Sequence, residues 1–193
     1  MLTYFKMADK SKGLTREIEI PEGIEIEVKE NEAIAKKEGK ENRKIFFKTK
    51  IEKSDNKIIL KTERSTKREI KQINTNVSHI KNMLQGLQEK FVYKLQICSV
   101  HFPMNVSIKD NELVIKNFLG ETKERKTKIS PKVDVKIEGE MITIESHDKE
   151  AAGQIAANIE KTTVIRGKDK RIYQDGIYMV EKAGREIWLE KNS

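Results

Sequence analysis

The sequence predicts an α+β protein made of two tandem duplicated domains, each a small, mostly antiparallel sheet covered on one face by a helix. Three observations predict it. First, Pro21 and Pro103 open matching segments 82 positions apart, and the same offset lays Lys67 on Lys149, Gln72 on Gln154, Ile73 on Ile155, Asn76 on Asn158 and Val77 on Ile159. Second, within each copy the apolar pattern starts at period two and then switches to helical spacing. Third, hydrophobic residues make up 36% and charged residues another 36% of the 193 residues, against about 45–50% and about 25% in ordinary globular chains. Such a composition supports two thin cores rather than one thick one. The repeat divides the chain into an N-terminal extension (1–17), a first α+β repeat (18–98), a second (99–182) and a C-terminal tail (183–193).

In the first copy, Ile24, Ile26 and Val28 alternate with Glu, placing one face of a strand inward. Strand-like runs follow at Ile45-Phe46-Phe47 and Ile58-Ile59-Leu60, with a turn at Ser54-Asp55-Asn56 between them. Thr66-Lys67-Arg68-Glu69 is a capping box, in which the hydroxyl and the carboxylate each satisfy an orphan amide of the first helical turn. Ile70, Ile73, Val77, Ile80 and Leu84 then form one apolar stripe, with Gly86 as a stop. The stretch 91–97 reads as a strand closing this copy.

In the second copy, Val106 and Ile108 repeat the opening alternation. Strands are expected at 113–115, 133–137 and 141–144, with turns at Lys109-Asp110-Asn111 and Glu138-Gly139-Glu140. Asp148 is a good N-cap for a helix carrying Ala152, Ile155, Ala156, Ile159 and Thr163 inward and running to Gly167. Its alanines let it lie close to a sheet. The run 177–180 reads as a second closing strand.

The formal net charge of +8 favours an anionic partner. It is concentrated in the first copy, where residues 36–71 carry 14 basic and 6 acidic side chains. No apolar run approaches the ~18 residues of a membrane helix. The start of the chain lacks a secretory core. One cysteine, Cys98, cannot form an internal disulfide, so a cytosolic setting is expected. No catalytic constellation is evident. His79, His101 and His147 are dispersed with no metal-ligand spacing, Cys98 reads as a small core residue, and the glycines form no phosphate-cradling motif. Neither a metal nor a cofactor is expected.

The stretch after the second helix is the most informative. Arg166, Lys168, Lys170 and Arg171 crowd around Gly167, followed by Tyr173, Gln174, Asp175 and Gly176. Lysine and arginine there suit phosphates, loop amides suit backbone oxygens, and Tyr173 offers a ring for an unpaired base. The alternative is a charged helix exit, since basic residues in a last turn also complement the macrodipole.

Several short segments give this chain a specific resemblance. They are Asn82-Met83-Leu84-Gln85-Gly86, Tyr93-Lys94-Leu95, His101-Phe102-Pro103, Asn117-Phe118-Leu119-Gly120-Glu121, Ala156-Ala157-Asn158-Ile159-Glu160 and Gln174-Asp175-Gly176-Ile177-Tyr178. From residue 80 to about 182 the sequence resembles the archaeal and eukaryotic branch of the L-six family of large-subunit ribosomal proteins, called L-nine in eukaryotic nomenclature. The first copy matches more loosely, through Ile20-Pro21-Glu22-Gly23 and the helix after Thr66. Two family turns are altered: Lys37-Glu38-Gly39-Lys40-Glu41 stands for one, and Gly86-Leu87-Gln88-Glu89-Lys90 lacks the second glycine of the other. The tail with Trp188 is not covered, and either closes on its own domain or docks on a neighbour.

The resemblance implies a structural constituent of the cytoplasmic large ribosomal subunit with no active site, cofactor, membrane or small-molecule substrate. It implies contact with large-subunit rRNA near the stalk base and the sarcin–ricin loop, chiefly through the second domain, and with neighbouring ribosomal proteins. Carried onto this chain, Arg166, Lys168, Lys170 and Arg171 are phosphate clamps. Gly167 and Gly176 permit close backbone approach, Tyr173 and Gln174 pack or hydrogen-bond at the RNA surface, and Lys161 and Thr163 complete the set. A non-ribosomal RNA-binding or RNA-chaperone module on the same scaffold is the alternative.

Overall fold

The computed structural model describes residues 13–29, 32–37, 39–46, 49–54, 56–169 and 171–187. The chain separates into two compact units, dividing between Gln88 and Glu89. Residues 1–12, Phe47, Lys48, Asp55, Lys170 and the tail from Trp188 lie outside the described residues, and with them most of the N-terminal extension and the docking of Trp188.

The first unit has two three-stranded antiparallel sheets. The strands β2 (Glu25–Lys29), β3 (Glu32–Lys37) and β4 (Lys40–Ile45) form a meander in that order. A second sheet has β1 (Thr15–Glu19) beside β6 (Lys57–Lys61), which pairs in turn with β5 (Lys50–Ser54). The alternation read at Ile24–Val28 holds: Ile24 and Ile26 are buried, while Glu25 and Glu27 face outward. Helix α1 (Lys67–Gln88) begins with the expected capping box. The Glu69 amide donates to Thr66 Oγ1 at 3.3 Å and the Thr66 amide to Glu69 Oε2 at 3.1 Å. The Thr66 hydrogen bonds hold the Glu69 carboxyl below its usual range. Ile73, Ile80, Met83, Leu84 and Leu87 bury against Ile26, Ile51, Ile58 and Leu60.

The second unit repeats this grammar and adds to it. The strands β8 (Asn105–Lys109), β9 (Glu112–Lys116) and β10 (Arg125–Lys128) form its meander. Asp110 and Asn111 turn between β8 and β9 with φ of 48° and 61°, the left-handed pair of a two-residue hairpin. The main sheet has five strands in the order β11 (Asp134–Glu138), β12 (Met141–Ser146), β7 (Phe91–Cys98), β13 (Gly176–Lys182), β14 (Arg185–Glu186). Helix α2 (Lys149–Thr162) starts at Asp148, whose side chain accepts from the Glu150 and Ala151 amides, as expected of an N-cap. Ala152, Ile155, Ala156 and Ile159 face the sheet. A β-carbon on Gly153 would stand 3.1 Å from the Tyr93 hydroxyl of β7, so the helix lies as close as its small residues allow.

Several expectations require correction. The strand at 91–97 does not close the first copy. As β7 it lies at the centre of the second sheet, hydrogen-bonded to β12 and β13, with Phe91, Tyr93, Leu95 and Ile97 in the second core. It occupies the place that β1 holds beside β6, so each copy opens with a strand that later pairs antiparallel to the strand before its helix. For the same reason Thr15, Arg16 and Glu17 belong to β1 rather than to an extension.

Gly86 does not stop α1. The helix continues to Gln88, because burying Leu87 outweighs the cost of one helical glycine, about 1 kcal/mol. Helix α2 stops at Thr162 rather than at Gly167. The run at Ile45 ends its strand there, with Ile45 exposed and Phe46 buried beyond it. Ile108 lies outward despite its place in the alternation.

Candidate nucleic-acid interface

The end of α2 is bound down from two sides, and this shapes the loop that follows. Thr163, the C-cap, is buried; its hydroxyl donates to the Glu160 carbonyl at 3.1 Å and accepts from the Ile177 amide at 2.9 Å. Arg125 of β10 donates through Nη1 to the Thr162 carbonyl at 2.6 Å and through Nε and Nη2 to both Glu121 oxygens. Its guanidinium also lies 4.2 Å from the centre of the Phe118 ring. A cation on the last helical carbonyls is favourable to the helix dipole. The Arg125 hydrogen bond holds the Glu121 carboxyl below its usual range.

The far end of the loop is anchored by Asp175. Its side chain is fully buried, and Oδ1 accepts from the Val100 and His101 amides at 2.8 and 2.9 Å. Oδ2 meets His101 Nδ1 at 2.7 Å. Burial alone would raise this carboxyl's pKa, but the amides and imidazole of residues 100–102 outweigh it and bring it down to about 2. The His101 ring lies 5.1 Å from that of Tyr173, and the Lys168 ammonium stands 4.6 Å from the Tyr173 centroid. Within the loop, Asp169 Oδ1 accepts from the Arg171 amide at 2.9 Å, an Asx turn, and its carbonyl accepts from the Tyr173 amide at 3.0 Å.

Between these anchors the cations are presented outward. Lys161, Arg166, Lys168 and Arg171 are exposed. Gly167 turns with φ +71°, and a β-carbon there would meet open space, so its requirement is backbone conformation alone. Arg171 stands 3.9 Å from Asp169 with its side chain 93% exposed, and Lys168 lies near enough to Glu121 to help hold that carboxyl below its usual range. Beside them runs an open groove of about 630 Å³ lined by Leu119, Lys126, Lys161, Val164, Arg166 and Lys168 among others.

The expected set therefore divides. Arg166, Gly167, Lys168, Arg171 and Gln174 lie on the loop surface and Lys161 on the exposed side of the last turn of α2, with the Gln174 side chain donating to the Arg171 carbonyl at 3.4 Å. Lys170 lies outside the described residues. Tyr173 is half-buried and packs against the second core. Thr163 and Gly176 are interior. Gly176 starts β13 opposite Cys98, where a β-carbon would stand 3.1 Å from the Tyr178 ring. Sequence reasoning gave no holding role to Arg125, Glu121 or His101, and read Asp175-Gly176 as a tight surface turn, whereas Asp175 is buried and bonds Val100 and His101 while Gly176 begins β13. The four-residue spacing from Glu121 to Arg125 was a usable signal, whereas Asp175 beside glycine resembles an ordinary turn.

Burial pushes the Cys98 thiol up, which disfavours a reactive thiolate. Among the described residues no three His, Cys, Asp or Glu side chains gather where a metal ion could sit, and no helix is long and apolar enough to cross a membrane.

The chain is similar to known proteins over most of its length. The family described as Ribosomal protein L6 matches residues 102–176, a span that contains Arg125, the end of α2 and the whole loop. The large ribosomal subunit protein uL6 of Methanococcus vannielii is 41% identical over 176 residues, covering 90% of this chain and 97% of that protein. The uL6 protein of Methanobrevibacter smithii is 38% identical, covering 88% and 96%. That of Nanoarchaeum equitans is 42% identical, covering 90% and 96%. At that identity over nearly the full length of both partners, the chain belongs to the uL6 family of large ribosomal subunit proteins.

Proposed function

We propose that this chain is a structural constituent of the large ribosomal subunit and binds rRNA through the loop between α2 and β13. The observation that carries the reading is the group of outward cations Arg166, Lys168 and Arg171 on a loop tied down at both ends, joined by Lys161 of the last turn of α2. Anchoring lowers the entropy that would otherwise be lost when long side chains order on a ligand. Phosphate is the ligand class that such a cluster neutralises, and counterion release makes the contact salt-dependent. Gly167, exposed and at φ +71°, turns the backbone between the cations.

Within the subunit, the resemblance directs this loop toward the stalk base and the sarcin–ricin loop, with neighbouring ribosomal proteins alongside. No step of chemistry is assigned to the site. Its work is to hold RNA in one place beside a rigid sheet.

The test is cosedimentation with large subunits through a high-salt wash, comparing the native chain with an Arg166→Ala, Lys168→Ala, Arg171→Ala variant. The native chain should remain bound and the variant should wash off. A native chain that washes off fits a non-ribosomal RNA-binding module instead. A variant retained as well as the native chain removes the loop from the interface.

A further inference from the structure

Tyr173 at first suggests a platform for an unpaired base, because aromatic rings in RNA-binding loops commonly stack on splayed-out bases. Its surroundings say otherwise. The ring is half-buried and packed against the second core. The His101 ring lies 5.1 Å away, tilted by 33°, and the Lys168 ammonium stands 4.6 Å from the centroid. His101 is itself fixed by the buried Asp175 carboxylate, through Nδ1 and through its own amide. A chain of contacts thus runs from an immobile carboxylate to an imidazole, to a phenol, to a lysine that points to solvent. Phe118, a second aromatic beside the groove, is covered by the Arg125 guanidinium at 4.2 Å.

Resting on the reading of this loop as an RNA contact, we propose that Tyr173 is a positioning residue that presents Lys168 to a phosphate, and that the loop takes the sugar–phosphate backbone of base-paired RNA rather than an unstacked base. The cation–π contact restricts a side chain that would otherwise sample many rotamers, so Lys168 meets its phosphate already placed. A ring engaged by the core, His101 and Lys168 does not offer itself to a base without giving up these contacts. Arg166 and Lys161 then follow the same backbone along the groove.

A double-mutant cycle on the full chain tests this, with a 16-base-pair RNA duplex and a single-stranded RNA of the same sequence as probes. Lys168→Ala should lower the log–log salt slope on duplex by roughly 0.9, the loss of one phosphate contact. Tyr173→Leu should lower it by a similar amount, and the double variant should lose no more than either alone, the signature of residues acting as a unit. Tyr173→Phe, which keeps the ring, should bind as the native chain does.

Additive losses, or a Tyr173→Leu defect confined to the single strand, overturn the inference. So does a native preference for the single strand, including one abolished by Phe102→Ala or by Tyr178→Ala, the two exposed Phe and Tyr side chains among the described residues. Should Tyr173→Leu fail to fold, the native chain decides: photo-cross-linking to 4-thiouridine RNA should give no adduct on Tyr173, and an adduct there overturns the proposal. Binding to neither RNA would instead refute the RNA-binding reading on which it rests.

Discussion

The two copies carry charge in opposite ways. In the first, residues 36–71 hold an excess of positive charge as large as that of the whole chain, and among the described residues five of these cations meet carboxylates. Lys36 meets Glu27, Arg43 meets Glu32, Lys57 meets Glu17, Lys61 meets Glu52 and Lys50 meets Glu63. The first four are diagonal cross-strand pairs, which the antiparallel register places within reach. In the second copy the total is nearly balanced, yet Lys161, Arg166 and Lys168 line one open groove together. Field strength at a surface follows local arrangement rather than the sum. A nearly neutral copy can thus still present a concentrated site.

The sharpest way to break this comparison is to neutralise the same number of cations in each copy. Replacing Arg166, Lys168 and Arg171 by Ala should reduce the salt slope of duplex RNA binding by about 2.7, at roughly 0.9 per phosphate contact. Replacing Lys36, Lys57 and Lys61 by Ala should change it by less than one contact's worth. Fluorescence anisotropy titrations across a range of KCl concentrations read both. Equal losses would erase the distinction between the copies.

The anchors come next in size. Arg125→Met removes a cation bonded to the Thr162 carbonyl and both Glu121 oxygens, and should cost about 2–3 kcal/mol in urea unfolding. Arg125→Lys should recover only part, since an ammonium cannot reproduce the forked geometry.

Asp175→Asn tests the other end. The native carboxyl has its pKa lowered to about 2 from 3.8, so its contribution is fully present above pH 4 and is lost as pH falls through about 2. That shift corresponds to roughly 2 kcal/mol. Urea midpoints for the native and Asp175→Asn chains should therefore differ at pH 7 and converge toward pH 2. A gap that stays constant over that range would deny the carboxylate its role.

The smallest effect compares the helix starts. Thr66→Ala and Asp148→Ala each remove a cap, and each should cost about 1 kcal/mol. Matching losses, each read from the unfolding of its own copy, would confirm that the duplicated helices keep one device at their N-termini.

Much of this was legible in the sequence because helices and sheets announce themselves by period. The stripe from Ile73 to Leu84, the cap at Asp148 and the hairpin at Asp110-Asn111 all stand where their spacing puts them. The misreadings have physical causes. The strand β10, Arg-Lys-Thr-Lys, contains no apolar residue, and β3, with Ala33, Ile34 and Ala35 all buried, has no alternation to reveal it. Whether β7 closes one copy or opens the next depends on which strands it pairs with, and no local pattern records that.

The candidate site shows the same division. The exposed cations were visible as a cluster, since charge needs no partner to be seen. The groups that hold them were not: Asp175 meets Val100 and His101 across 75 and 74 residues and Arg125 reaches Thr162 across 37, while only the Glu121–Arg125 pair is local. Thr163 and Gly176 were misjudged for a related reason. They are small, polar or flexible residues near a basic run, but the hydroxyl is committed inside the fold and the glycine makes room for Tyr178.

The most direct test of the contrast between the copies is lysine reactivity mapped on the chain bound within the large subunit. Acetylation with a small reagent, read by mass spectrometry against the free protein, should show Lys161 and Lys168 protected on binding. Lys36, Lys57 and Lys61 should stay as reactive as in the free chain. Protection of the three sheet lysines with Lys161 and Lys168 left open would contradict the account.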